Sequence, residues 1–141
     1  MSRLRLGLEM DGSSRGRQMH DIVKGLAHLS AVRGALLVAP DGFVIAAEVP
    51  PSIAVEPLAA LAATLGRDLE AGANKLGGGA FQTALFSADD GTLYLAASRI
   101  GFVVALVEPQ ANVQAIRGGL EEAVTLIDSG WTPTIPAATA T

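Results

Sequence analysis

Apolar side chains recur at helical spacing in three stretches of the chain, and each stretch predicts an amphipathic α-helix. The stretches are residues 18–31, 55–76 and 113–127. The second is the longest, and the glycines at 77–79 end it, as a helix C-terminus favours. The apolar positions are Met19, Ile22, Val23, Leu26 and Leu29 in the first helix, Leu58, Leu61, Leu65, Leu69 and Leu76 in the second, and Val113, Ile116, Leu120, Val124 and Ile127 in the third.

Short apolar runs bounded by turn residues predict strands. The first two runs flank Pro40-Asp41-Gly42, a turn sequence that is typical of a β-hairpin. Connections of hairpin length also separate the later runs. Hairpins join antiparallel neighbours, so the sequence predicts a mostly antiparallel sheet. The runs are residues 34–39, 43–47, 80–87, 92–98 and 102–107.

Two of these runs, residues 35–39 and 102–107, are apolar at every position. A strand without alternation is buried on both of its faces. The sheet therefore needs helices on both sides, and the three predicted helices suit that arrangement. The order along the chain is helix, two strands, helix, three strands, helix, which indicates an α/β domain of the α+β kind.

The second helix has two apolar sides. We expect its leucine stripe, which includes Leu58, Leu61, Leu65 and Leu69, to cover the sheet. The other side then carries small residues where a monomer would be charged, and small residues let a second backbone approach closely. This pattern predicts a platform for a second protein, most simply a second copy of the chain across a two-fold axis. The alternative is that alanine occurs at these positions only because it favours helix formation. The platform residues are Glu56, Ala59, Ala60, Ala63, Gly66, Arg67 and Glu70.

Composition supports one apolar domain built from small side chains. Of the 141 residues, 50% are hydrophobic but only 4% are aromatic, so a packed core is possible while a large aromatic ligand pocket is not favoured. The net charge is −4, which argues against a nucleic acid partner. No apolar run approaches the length of a membrane span, and the N-terminus does not resemble a signal peptide. The absence of cysteine agrees with a cytoplasmic location.

Both ends of the chain differ from the middle. Residues 1–17 contain four arginines against two acidic side chains, and residues 11–17 are typical of a flexible link. We expect residues 1–17 to be a flexible arm, either solubilising or able to touch an acidic partner, lipid headgroups or a sheet edge. Residues 18–128 form the domain, and residues 129–141 are expected to be a flexible tail.

The sequence contains no recognisable catalytic, metal or cofactor motif. A P-loop and a nucleophile elbow are both missing. His20 and His28 lie two helical turns apart, which is too far for a shared metal ion without further ligands. Asp89 and Asp90 lack the remaining ligands of a calcium loop and are better explained by turn chemistry. Arg99 could reach a nucleotide phosphate, but a solvated surface arginine is the simpler interpretation.

The predicted elements together resemble the roadblock family, which includes dynein light chains and bacterial GTPase regulators of the MglB type. The hairpin at 34–47 with its Asp41-Gly42 turn, the helix at 58–65, the strand at 100–107 and the helix start at 111–113 carry the likeness. It covers residues 18–128.

The resemblance implies a roadblock/profilin-like sandwich. A five-stranded antiparallel sheet would carry one long helix on one face and two helices on the other. Members form homodimers whose sheets join through the third strand, and the paired second helices then form a platform. In this chain the joining edge would comprise Phe81, Gln82, Thr83, Ala84, Leu85 and Phe86.

The resemblance also implies a function. We expect a non-catalytic homodimeric regulator or adaptor of a small Ras-like GTPase, which acts by moving the switch loops of its partner. A structural scaffold subunit of a larger assembly and a ligand-sensing domain of similar layout are the alternatives. An enzyme is disfavoured, because no nucleophile–base pair or metal constellation is apparent.

Overall fold

Five antiparallel strands form one sheet. The computed structural model describes residues 2–79 and 81–130, and side chains from Arg15 onward within those ranges. Three helices accompany the sheet in this part of the chain, so the predicted fold class is confirmed. The elements are α1 (Ser2–Ala27), β1 (Val32–Val38), β2 (Val44–Glu48), α2 (Val55–Lys75), β3 (Thr83–Ala88), β4 (Gly91–Ala97), β5 (Phe102–Val107) and α3 (Val113–Gly130).

The strands lie in the order β2-β1-β5-β4-β3, so the two fully apolar strands, β1 and β5, are at the centre of the sheet and pair with each other. Leu36 and Val104 face α2, whereas Leu37 and Val103 face α1 and α3. Successive side chains of a strand point to opposite faces, so each central strand contributes to two cores. The predicted burial of both faces is confirmed, and α2 covers one face while α1 and α3 cover the other.

Local signals explain where the helices begin and end. The Asn112 side-chain oxygen accepts a hydrogen bond from the Ala115 amide at 3.1 Å, which caps the start of α3. At the end of α2, Gly77 adopts a φ of 74° and the Gly78 amide donates to the Ala73 carbonyl at 2.9 Å. This is the Schellman arrangement, in which glycine accepts the left-handed conformation without steric cost. The helix stop predicted at 77–79 is therefore confirmed.

The first helix is longer than the sequence predicted. It begins at Ser2 instead of near residue 18, and residues 11–17, expected to be a flexible link, are helical. The link contains no proline, and a helix that is already nucleated extends by one hydrogen bond for each residue added. The helix ends at Ala27, and Ala31 then takes a left-handed φ of 72° where the chain turns into β1.

The other boundaries differ in smaller ways. The third strand begins at Thr83 instead of at residue 80, so Phe81 and Gln82 precede it. The last helix continues to Gly130, which places Ser129 and Gly130 in α3 instead of in the expected tail. Residues 131–141 of that tail lie outside the described part of the chain.

Candidate functional site

The small residues of α2 face the sheet, which reverses the orientation that the sequence predicted. Ala59 and Ala63 are buried, and a Cβ atom added to Gly66 would lie 2.6 Å from the ring of Phe102. The Phe102 ring occupies the space beneath the helix, so only small side chains fit along the line of closest approach. Ala59, Ala63 and Gly66 are therefore core residues, and their assignment to an exposed platform was wrong.

The leucines of α2 lie on its flank and outer side instead. Leu61 is 48% exposed and Leu69 is 36% exposed, whereas Leu58 and Leu65 are half-buried against the core. Leucine side chains are too long for the gap above Phe102 but can reach down beside it. Exposed leucines on a helix whose inner face is already packed are available to a partner.

Four of the predicted platform residues remain accessible. Glu56, Ala60 and Arg67 are exposed, and Glu70 is half-buried. Arg67 also has a structural contact, because its Nη1 donates a hydrogen bond of 2.5 Å to the carbonyl of Pro40. The turn between β1 and β2 is thereby tied to the outer side of α2.

The predicted sheet edge is an edge in the structure. The third strand pairs with β4 and ends the sheet, and within the described residues no strand pairs with its other side. An unpaired strand edge presents backbone donors and acceptors to any second strand. Leu85 is 46% exposed and Phe86 is 55% exposed. Phe86 is paired with Leu93 on the α2 face, and Leu85 is paired with Tyr94 on the opposite face.

Phe81 and Gln82 precede this strand and have a different environment. The rings of Phe81 and Phe102 stack with centroids 6.2 Å apart, so Phe81 is anchored to the α2 core instead of standing on the edge. Gln82 is exposed. Of the six predicted edge residues, four lie on β3 itself: Thr83, Ala84, Leu85 and Phe86.

The flank of α2 and the edge strand meet in one shallow apolar groove of about 220 Å³. Leu58 and Leu61 form one wall, and Phe86 and Leu93 form the other. We call the exposed leucines Leu61 and Leu69, together with Leu85 and Phe86, the apolar edge. The sequence predicted the strand residues Leu85 and Phe86 as part of an interface. It did not predict the helix residues Leu61 and Leu69, because the leucine stripe of α2 was expected to cover the sheet. The signal for the true orientation of α2 was Phe102, because its large ring leaves room only for small side chains on the part of the helix that lies above it.

The polar residues singled out in the sequence are dispersed. His20 Nε2 lies 3.2 Å from Glu48 Oε1, and His28 lies in the turn that follows α1. Asp89 and Asp90 form the turn between β3 and β4, and the Arg99 amide donates to Asp128 Oδ1 at 2.9 Å. Among residues 2–79 and 81–130, no cluster of histidine and acidic side chains could hold a metal ion.

None of the helices within the described residues is long and apolar enough to cross a membrane. The described part of the chain presents two candidate contact surfaces, namely the outer side of α2 and the edge of an open sheet. The fold defines a small α/β domain in which one helix covers one face of an open five-stranded sheet and two helices cover the other.

The comparisons with known proteins agree with this fold. The Roadblock/LC7 domain matches residues 19–108, so the chain belongs to the Roadblock/LC7 family, a family of small regulatory adaptor domains. No protein of curated function matches the chain.

Solved structures share the fold. MglB of Myxococcus xanthus superposes with a TM-score of 0.75 at 16% identity, over 81% of this chain and 87% of that one. The gliding protein MglB of Thermus thermophilus gives 0.72 at 20% identity, over 82% and 90%. A Roadblock/LC7 domain from Streptomyces avermitilis gives 0.68 at 18% identity, over 85% and 97%. Because the identities are this low, the superpositions establish a common fold and nothing more.

Proposed function

We propose that this protein is a non-catalytic homodimeric regulator or adaptor of a small Ras-like GTPase in the cytoplasm. The apolar edge carries the proposal, because it places exposed leucines and a phenylalanine beside an unpaired strand. Two copies that join through β3 would continue the sheet across the interface and cover these side chains. A solved MglB structure described as having a tetrameric arrangement supports self-association of this fold.

Dimerisation would bring the two α2 helices side by side. Their outer surfaces carry Glu56, Ala60 and Arg67, with Glu70 at the margin, and would together present one broad platform. We assign the GTPase contact to this platform. The basis for a GTPase as partner is membership of the Roadblock/LC7 family together with the resemblance seen in the sequence, which implies a regulator of small Ras-like GTPases.

The mechanism would be selection among conformations of the partner. Switch loops of a GTPase exchange between ordered and disordered states, and a protein that binds one state more tightly shifts the population toward it. The platform offers Glu56 and Arg67 as exposed charges for such contacts. The protein's own side chains would perform no bond-making step.

The decisive experiment combines the purified protein with a small Ras-like GTPase from the same organism. Sedimentation equilibrium gives the mass of the free protein, and we expect a dimer. Calorimetric titration of the GTPase, loaded with GDP or with a non-hydrolysable GTP analogue, should show a preference for one nucleotide state. Hydrolysis of GTP by the GTPase should change when the dimer is added.

Two results would redirect the proposal. A strict monomer would remove the homodimer and the platform that depends on it. A stable complex whose affinity does not depend on the nucleotide, with an unchanged hydrolysis rate, would favour the scaffold subunit over the regulator.

A further inference from the structure

A second apolar groove lies on the opposite side of the molecule, between α1 and α3, and has a volume of about 420 Å³. Ile22 contributes apolar surface from α1, and Leu126 contributes it from α3. Leu126 is 47% exposed, so the described residues leave a large apolar side chain uncovered. This surface is separate from the apolar edge, and the proposed function does not use it.

Two glycines show how the helices run along the groove. A Cβ atom added to Gly119 would lie 2.3 Å from Leu29 Cδ1, and one added to Gly130 would lie 3.5 Å from Gln18 Nε2. The helices are therefore antiparallel, with the end of α3 beside Gln18. From Gln18 to Leu29 the groove is about 16 Å long, at the helical rise of about 1.5 Å per residue, and this is the length of about three turns of an α-helix.

Two carboxylates lie at the rim of the groove, Asp21 on the α1 side and Glu122 on the α3 side. Both residues are exposed, and neither carboxylate forms an ion pair or a hydrogen bond with a described side chain. The described lining of the groove contains no lysine, arginine or histidine. Carboxylates beside an apolar wall of low dielectric constant give the groove a negative potential, which favours a positively charged occupant.

The walls of the groove favour a helix over an extended peptide. Each wall is a helix whose backbone hydrogen bonds are made internally, so neither wall offers a strand edge with which an extended peptide could pair. Gly25 lines the groove without a side chain, and a Cβ atom placed there would meet no other atom within 4 Å. A third helix can therefore come close to α1 at this position and lay its apolar side into the groove.

We propose that the groove between α1 and α3 binds an amphipathic helix of another protein, one whose apolar stripe is flanked on both sides by lysine or arginine. The stripe would cover Ile22 and Leu126, and the flanking cations would lie opposite Asp21 and Glu122. Electrostatic complementarity of this kind selects the partner and fixes its register. The inference does not depend on the proposed function, because the groove lies on the face of the sheet opposite α2.

Two synthetic helical peptides with fluorescent labels serve as probes. Both have about 14 residues, which is enough to span the groove, and both have the same leucine stripe and blocked ends. They differ only in carrying lysine or glutamate beside the stripe. By fluorescence anisotropy we expect the lysine peptide to bind the full chain, and the glutamate peptide to bind at least about tenfold more weakly. Added salt should reduce this difference, because it screens exposed charges.

Three variants locate the site. Asp21→Lys combined with Glu122→Lys should reverse the preference, so that the glutamate peptide binds more tightly. Gly25→Leu places a neutral side chain in the groove and should weaken binding of the lysine peptide about tenfold or more. Gly118 is equally open, lies on the exposed side of α3 and does not line the groove, so Gly118→Leu is the matched control and should leave the affinity unchanged. Circular dichroism should be the same for all of these chains.

Four results would overturn the proposal. No binding of the lysine peptide at concentrations up to about 1 mM would mean that the groove takes no such helix. Equal affinities for the two peptides, or a preference that the double charge reversal does not invert, would remove the selection by charge. Binding that survives Gly25→Leu would place the peptide elsewhere on the chain. A lower mass of the free protein in sedimentation equilibrium after Gly25→Leu would assign the groove to a second copy.

Discussion

Gly66 of α2 lies directly above the ring of Phe102 of β5. A Cβ atom at position 66 would come within 2.6 Å of two ring carbons, Cε2 and Cζ, a distance that real Cβ contacts do not show. Both residues belong to or border the buried cluster between α2 and the sheet. The close approach of α2 to the sheet at this point requires that position 66 has no Cβ atom.

The first prediction is that Gly66→Ala destabilises the protein. Alanine raises helix propensity by about 1 kcal/mol relative to glycine. The added methyl must displace a buried ring, and overpacking of a core typically costs about 1–3 kcal/mol. We expect a net loss of up to about 2 kcal/mol in the free energy of unfolding, measured by urea denaturation.

The matched control for this prediction is Gly72→Ala in the same helix. A Cβ atom at position 72 meets no other atom within 4 Å, so only the gain in helix propensity remains. We expect Gly72→Ala to stabilise the protein by about 0.5–1 kcal/mol. Equal effects of the two substitutions would contradict the close approach of α2 to Phe102.

The second prediction is that Leu61→Glu dissociates the proposed dimer. Leu61 belongs to the apolar edge, and burying a carboxylate at an interface without a partner costs several kcal/mol. Sedimentation velocity should show a monomer at concentrations where the unmodified chain is a dimer, while the circular dichroism spectrum stays unchanged.

Val113→Glu is the control for dissociation. Val113 is 45% exposed, close to the 48% of Leu61, but it lies at the start of α3 and away from the apolar edge. A carboxylate near a helix N-terminus is also favoured by the helix dipole. The chain should remain a dimer, and dissociation by both variants alike would indicate a general response to surface charge.

The third prediction concerns the left-handed backbone at Ala31, where φ is 72°. This conformation costs a residue with a Cβ atom about 1–2 kcal/mol, and glycine avoids that cost. Since glycine also raises the entropy of the unfolded chain, the net gain from Ala31→Gly should be about 0.5–1 kcal/mol.

The same substitution at Ala71 should have the opposite sign. Ala71 is exposed in the interior of α2, where glycine is worse than alanine by about 1 kcal/mol. Thermal or urea unfolding of the two variants under the same conditions checks the pair. A loss of stability in both would mean that the turn at Ala31 is not strained.

The fourth prediction separates the structural contact of Arg67 from its role on the platform. Arg67→Met removes the hydrogen bond to the Pro40 carbonyl, and because the residue is exposed the loss of stability should be below about 1 kcal/mol. If the platform binds the GTPase, affinity should nevertheless fall about tenfold or more, corresponding to at least about 1.4 kcal/mol.

Dimer mass and unfolding should be measured on the same samples. Lys75→Met, at the exposed end of α2, removes one positive charge away from the platform and should leave the affinity unchanged. Unchanged GTPase affinity in Arg67→Met, despite an intact dimer, would assign Arg67 to holding the turn alone.

Much of the fold could be predicted because its local signals are strong. The Asp41-Gly42 turn gives the first hairpin, and Gly77 supplies the left-handed residue that ends α2. The uninterrupted apolar runs of β1 and β5 identify the two central strands, since only a strand buried on both faces lacks polar positions. These features depend on residues close in sequence.

The candidate site could be predicted only in part. Leu85 and Phe86 were placed on the edge strand because the resemblance to the roadblock family implies that the third strand is the joining edge. The α2 face was predicted wrongly, because the helix has a leucine stripe and an alanine–glycine stripe and both are apolar. Periodicity reports that a face is apolar, but it does not report how much room lies beneath it.

The sequence by itself determined the order of the elements, the antiparallel sheet and the two strands at its centre. These features depend on turn sequences and on continuous apolar runs, which involve only residues close together in the chain. Tertiary structure alone decided which side of α2 meets the sheet. Phe102 and Gly66 are far apart along the chain, and only when β5 lies under α2 does the ring exclude leucine and turn Leu61 and Leu69 outward. The groove between α1 and α3 has the same origin, since it exists only where two helices distant in sequence lie side by side.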